Sequence, residues 1–289
     1  MIRLVSAELF KLRKRLMTKV LLFVLVGITA IACLVLLAIS KAVITGPGLE
    51  MPQGGTGIAN PLGLPLALPM ALSIMSSLGV VLAVILSASS IGSEYNWRTL
   101  RTMLICSEGR LKLLGAKLIA VGTLVLIGMV IGLATGFVMS LITTAIGGYA
   151  FDFSFVTRQF LWDQFLQFWR VFYVLMPYML LGFLFAVVGR SVMPGIALSI
   201  GVFFLEPIAT VFMDAAGGWI AKIPSYLLRA NVRVITAMGG PPQLITVETE
   251  ADVLNQVPGT SHAVITIALY SLVFIAVAFY LFRRRDVTG

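Results

Sequence analysis

Six long stretches of this chain carry almost no charge. They are residues 20–39, 66–91, 118–146, 171–189, 191–212 and 263–282, and the fifth alone holds an ionisable acid, Glu206. An α-helix rises about 1.5 Å per residue, so about 20 residues cross a hydrocarbon core of about 30 Å. Each run is therefore long enough to span a membrane as a helix. A transmembrane barrel would instead alternate polar and apolar residues over segments of about ten, which these continuous runs do not do. Composition agrees. The 289 residues are 59% hydrophobic and 11% charged, with a mean hydropathy of +1.03. Soluble domains carry about 25% charge, so this chain cannot cover a globule with wettable surface, and a soluble enzyme is excluded. The fold class expected is an all-α integral membrane protein with six transmembrane helices.

The remaining charge is unevenly placed. Residues 1–19, 92–117, 190 and 283–289 hold 15 of the 21 Lys and Arg and 4 of the 12 Asp and Glu. The intervening 41–65, 147–170 and 213–262, with Glu206, hold 6 basic and 8 acidic residues. Lys and Arg accumulate on the cytoplasmic side of spanning segments. Both termini are therefore expected in the cytoplasm, in a multi-pass protein of a bacterial cell (inner or plasma) membrane. The net charge of +9 reads as a topology signal. No basic groove interleaved with aromatics points to nucleic acid as a partner.

Residues 1–19 have a pattern of their own. Val5, Leu9, Leu12 and Leu16 fall on one helical stripe, and Lys11, Arg13, Lys14, Arg15 and Lys19 lie mostly off it. This describes a basic amphipathic helix lying on the inner leaflet, with membrane lipids as its partner; a topology-setting flank is the alternative. The lead is too long, and the apolar run after it too extended, for a cleaved signal peptide, so an uncleaved anchor is expected.

Residues that carry chemistry are scarce. The single histidine, His262, lies at the outer mouth of the sixth run beside Ser261 and reads as part of an interfacial polar pair. Cys33 and Cys106 are expected at different depths, so they form neither a disulfide nor, with one histidine, a metal site. No G-x-x-x-x-G-K-[ST] phosphate loop occurs. The chain is accordingly read as a non-enzyme with no metal or cofactor.

The informative inner segment is 92–117. Glu94 and Arg98 stand at i, i+4, and Trp97, Leu100 and Leu104 make an apolar stripe. A second short helix can start at Ser107, with Leu111, Leu114 and Leu118 leading into the third span. The succession Glu94-Tyr95-x-x-x-Thr99-Leu100-Arg101-Thr102-x-Leu104, then Gly109-Arg110-x-x-x-Leu114-x-x-Lys117, resembles the type-2 permease subunits of ATP-binding cassette transporters (ABC-2). The opening Ala7-Glu8-Leu9-Phe10-Lys11-Leu12-Arg13-Lys14 and the closing Phe282-Arg283-Arg284-Arg285-Asp286-Val287 are similar to that family's ends, so the likeness runs along the whole chain.

The resemblance implies a single permease domain over 1–289. Residues 1–19 would be its elbow helix and 92–117 its cytoplasmic coupling helix. It also implies a separate cytoplasmic subunit that binds the ATP, and a second permease copy or sister permease. In such an exporter Glu94, Arg98, Thr99, Arg101 and Arg110 would couple ATPase closure to the spans. Glu94 and Arg101 are expected in water at the inner surface, and a local Glu94–Arg98 pair is the alternative role for those two residues. A membrane carrier that works without ATP, or an immunity or sensor protein, is the alternative function. No inverted repeat favours the carrier.

Two further polar residues fall within or beside the runs. A carboxylate inside a span costs at least about 2.5 kcal/mol, so Glu206 should face protein or water. Arg170 begins the fourth run at similar height, and a Glu206–Arg170 pair is expected, with a substrate or ion contact and simple outer exposure as alternatives. Pro207 should break the helix beside it. In the outer segment 213–262, Ser225 can cap a helix with Leu228, Val232 and Ile235 on one face. Trp162, Phe165, Trp169 and Phe172 should form an aromatic belt.

Overall fold

The computed structural model describes residues 2–45, 64–97, 109–147, 156–238 and 259–284. Within them the chain forms α1 (Ile2–Lys14), α2 (Leu16–Thr45), α3 (Leu64–Asn96), α4 (Arg110–Gly147), α5 (Arg158–Gly189), α6 (Val192–Ala216), α7 (Leu228–Ala237) and α8 (Thr260–Arg284). A 3₁₀ turn, Ile220–Tyr226, joins α6 to α7. No strand occurs among the described residues. Six helices, α2 to α6 and α8, are long and apolar enough to cross a membrane, the pattern of a multi-pass membrane protein. Each coincides with or contains one uncharged run, and most extend past it by one or more turns. In hydrocarbon the helix satisfies every backbone polar group internally, so it continues until water is reached.

The central helix is α5. It packs on α3, α6 and α8, and its second half, from Val171 to Val187, supplies its buried side chains. Close approach depends on small residues. A Cβ on Gly182 would lie 2.8 Å from Ser87 Oγ and 3.0 Å from the Val84 carbonyl, so only glycine admits α3 there. The Ser87 hydroxyl then donates to the Met179 carbonyl at 2.6 Å, an interhelical hydrogen bond across the same junction. Where α3 meets the start of α6, a Cβ on Gly92 would strike the Val192 backbone nitrogen at 2.6 Å. Helices α5 and α6 are joined by Arg190 and Ser191, with Arg190 in the left-handed region at φ 52°, which reverses the chain in two residues.

Two apolar clusters divide the bundle along its length. Ile91, Leu114, Val187, Ala278 and Phe282 pack together toward one end, which also holds α1 and the α5–α6 turn. The larger cluster runs to the other end, where Val171, Val174, Leu228, Ile235, Ala263 and Ile267 enclose α7. The first end carries the Lys- and Arg-rich segments and is called the basic end below.

Three local expectations are corrected. The apolar stripe of the first helix ends at Leu12, because the chain bends at Arg15 and Leu16 begins α2 with its side chain exposed. Helix α6 passes through Pro207 and continues to Ala216. A proline removes one backbone donor, and an apolar surround tolerates that more readily than a broken helix with several unpaired groups. The third span begins as one helix at Arg110, so Leu111, Leu114 and Leu118 belong to α4 itself, and Ser107 lies outside the described residues.

Candidate functional site: a buried ion cluster at the basic end

Helix α1 presents Glu8, Lys11 and Leu12 along one side, at i, i+3 and i+4, and Arg15 in the bend that follows turns to the same side. Leu12 is buried in the core and anchors that side to the bundle. Opposite it lie the last turns of α3, bearing Ser89, Ser93 and Glu94, and the second turn of α4, bearing Lys117. Glu94 is fully buried and Lys117 is 1% exposed. The Lys117 ammonium donates to Glu94 Oε1 at 2.5 Å and to Glu8 Oε2 at 2.7 Å. Lys11 donates to the same Glu94 oxygen, and an Arg15 nitrogen stands 3.9 Å from it. Arg15 also donates to Ser93 Oγ at 2.6 Å and to the Ser89 carbonyl at 3.2 Å, with its guanidinium over the Trp97 ring.

Three cations and two carboxylates from three helices and the bend at Arg15 thus meet, with Glu94 and Lys117 closed to water and Lys11 and Arg15 partly exposed at the rim. Such a cluster stabilises little against an apolar replacement, because desolvation offsets the attraction. Its consequence is geometric. Removing one member strands the others, so α1, α3 and α4 are held in one relative placement. Glu94 Oε2 and one Arg15 nitrogen have no hydrogen-bond partner among the described residues, which leaves spare polar capacity in the cluster.

This corrects the expectation for Glu94. Its carboxylate lies in protein and not in water, and its partners come from α1 and α4. Arg98, Thr99 and Arg101 fall outside the described residues, as does Cys106, and Arg110 begins α4. The members that sequence reasoning passed over are Glu8, Lys11, Arg15 and Lys117. Two signals could have marked them: Glu8 is the sole acid in the basic lead 1–19, and Lys117 directly precedes an uncharged run of 29 residues.

At the opposite end, Glu206 and Arg170 do not pair with each other. Glu206, on α6, accepts the backbone N–H of Arg229 at 2.5 Å, at the first turn of α7. Arg170, on α5, donates to the carbonyl of Met238, the residue that closes α7. A negative group therefore faces the N-terminus of α7 and a positive one its C-terminus, each opposing the partial charge of the helix dipole. Glu206 supplies the cap that Ser225 was expected to give; the Ser225 hydroxyl instead donates to the Lys222 carbonyl. Asn231, wholly buried, donates to the carbonyls of Ser225 and Leu227, and its Oδ1 meets His262 Nδ1 at 3.2 Å. His262 is thus tied to α7 as well. Trp162, Phe165, Trp169 and Phe172 form a ladder of ring contacts along the exposed start of α5.

A family model described as "Protein of unknown function (DUF2705)" matches residues 58–288. The chain belongs to that family. No curated protein matches it. The DUF2705 match takes in α3 to α8, with Glu94, Lys117, Arg170 and Glu206, while Glu8, Lys11 and Arg15 precede it.

Proposed function

We propose that this chain is the membrane-spanning permease subunit of an ATP-driven exporter of the ABC-2 kind, working with a cytoplasmic ATP-binding subunit and a second permease copy or sister permease. The observation that carries this reading is the buried cluster at Glu94. It locks the last turn of α3 and the start of α4 to α1, so the two helix ends that flank residues 98–108 are fixed to the bundle. A push delivered to those helix ends would meet fixed contacts and pass to the spans. The resemblance of residues 94–117 to the coupling element of type-2 permeases supports the same role, as does the absence of a phosphate loop from the sequence. Hydrolysis is assigned to the partner, and the basic end to the cytoplasm of a bacterial cell membrane.

The test is affinity purification of the tagged full chain from its native host in mild detergent. A stoichiometric protein bearing a phosphate loop should accompany it. Recovery of the chain alone, folded and intact, would favour a membrane protein that works without ATP.

A further inference from the structure

Helix α1 and the bend after it divide their cations between two sides. Lys11 and Arg15 turn inward to Glu94. Arg13 and Lys14, with Lys19 from the first turn of α2, line an open groove of about 360 Å³ across the bend at Arg15, and Phe10 forms its remaining wall. All three of these cations are exposed, and none is in an ion pair among the described residues. The Lys14 ammonium stands 5.6 Å from the Phe10 ring centroid, which keeps it over the groove wall. Beside the groove the surface is apolar: Phe10, Leu16, Met17, Val20 and Phe23 are all exposed, Leu16 and Phe23 by about three quarters. The groove therefore sits where the first helix long and apolar enough to span a membrane begins, with three cations at its mouth and an apolar strip beside them.

We infer that this groove binds the headgroup of an anionic phospholipid, with the phosphate held by Arg13, Lys14 and Lys19 and the acyl chains lying along Phe10, Val20 and Phe23. Unpaired cations at the height of the headgroups are attracted to anionic lipid, and Arg and Lys donors suit phosphate oxygens. The apolar strip argues for a lipid over a free phosphate, because only a lipid covers it. Since Glu8, Lys11 and Leu12 fix the other side of α1 to the bundle, the helix joins one lipid to the Glu94 cluster. The inference does not depend on the transport reading.

Native mass spectrometry of the purified full chain in non-ionic detergent, titrated with phosphatidylglycerol or phosphatidylcholine, tests it. Wild type should retain one phosphatidylglycerol with at least tenfold preference over phosphatidylcholine. The triple variant Arg13→Gln/Lys14→Gln/Lys19→Gln should lose tenfold or more of that affinity. The variant Lys222→Gln/Arg158→Gln, altered at the opposite end, should bind as wild type. If the triple variant is not recovered folded, Lys14→Gln/Lys19→Gln is read in its place, with a smaller loss in the same direction. Equal binding by wild type and the groove variants, or equal binding of the two lipids, would overturn the inference. So would displacement of the lipid by millimolar inorganic phosphate, which would give the groove to a soluble anion.

Discussion

At the scale of single residues, Glu94 decides how the basic end holds together, because Lys11, Arg15 and Lys117 all converge on one of its oxygens. Glu94→Gln would leave Lys117, 1% exposed, with Glu8 as its sole carboxylate. Breaking a buried pair by removing one partner costs about 3–5 kcal/mol, against about 0.3–0.5 kcal/mol for an exposed i, i+4 pair such as Glu94–Arg98 would be. Unfolding of purified variants in detergent should show the larger figure. The double variant Glu94→Gln/Lys117→Gln should cost less than the two single changes added, since the stranded charge is gone. A loss of a few tenths of a kcal/mol for Glu94→Gln would mean the carboxylate is solvated after all. Glu94 itself was legible from its motif. Its partners were not, because Lys117, Arg15 and Lys11 lie 23, 79 and 83 positions away, and nothing in local spacing reports which helix a cation will reach.

Among the elements, α7 shows how counting along a sequence finds heights but not neighbours. The rise per residue put Glu206 and Arg170 near the same outer level, and both were singled out as polar groups that protein must satisfy. Their bearings around the helix axes are tertiary facts, and these direct Glu206 to the start of α7 and Arg170 to its end, a helix length of about 15 Å apart. Glu206→Gln and Arg170→Gln should each loosen α7, read as faster amide exchange over 228–237. Because the two groups act on opposite ends without touching, their effects on stability should add to within about 0.5 kcal/mol. A coupling well above that would restore the direct pair. The uninterrupted α6 carries a related lesson. Pro207 is a reliable break in water, yet the apolar surround makes the continued helix the lesser cost.

Over the whole molecule, the six spans were readable because a hydrocarbon solvent leaves one economical solution for the backbone, and uncharged runs of about 20 residues announce it. Which helix would be central was not readable. Helix α5 holds that place through Gly182 and the buried run behind it, while α2, α6 and α8 keep long apolar faces outward for lipid or a second copy. With α1, α3 and α4 locked at the basic end, the molecule offers one rigid handle on a bundle whose outer helices α2, α6 and α8 are less enclosed. On the proposed function, a cytoplasmic ATPase grips this handle through segment 92–117. A photoreactive benzophenone side chain in place of Thr102, activated in intact cells, tests it directly, with the same group in place of Gln243 as the outer counterpart. An adduct is expected between the Thr102 variant and a protein bearing a phosphate loop, and none from Gln243. An intact, membrane-inserted Thr102 variant that crosslinks to no such protein, or a Gln243 variant that does, would contradict it.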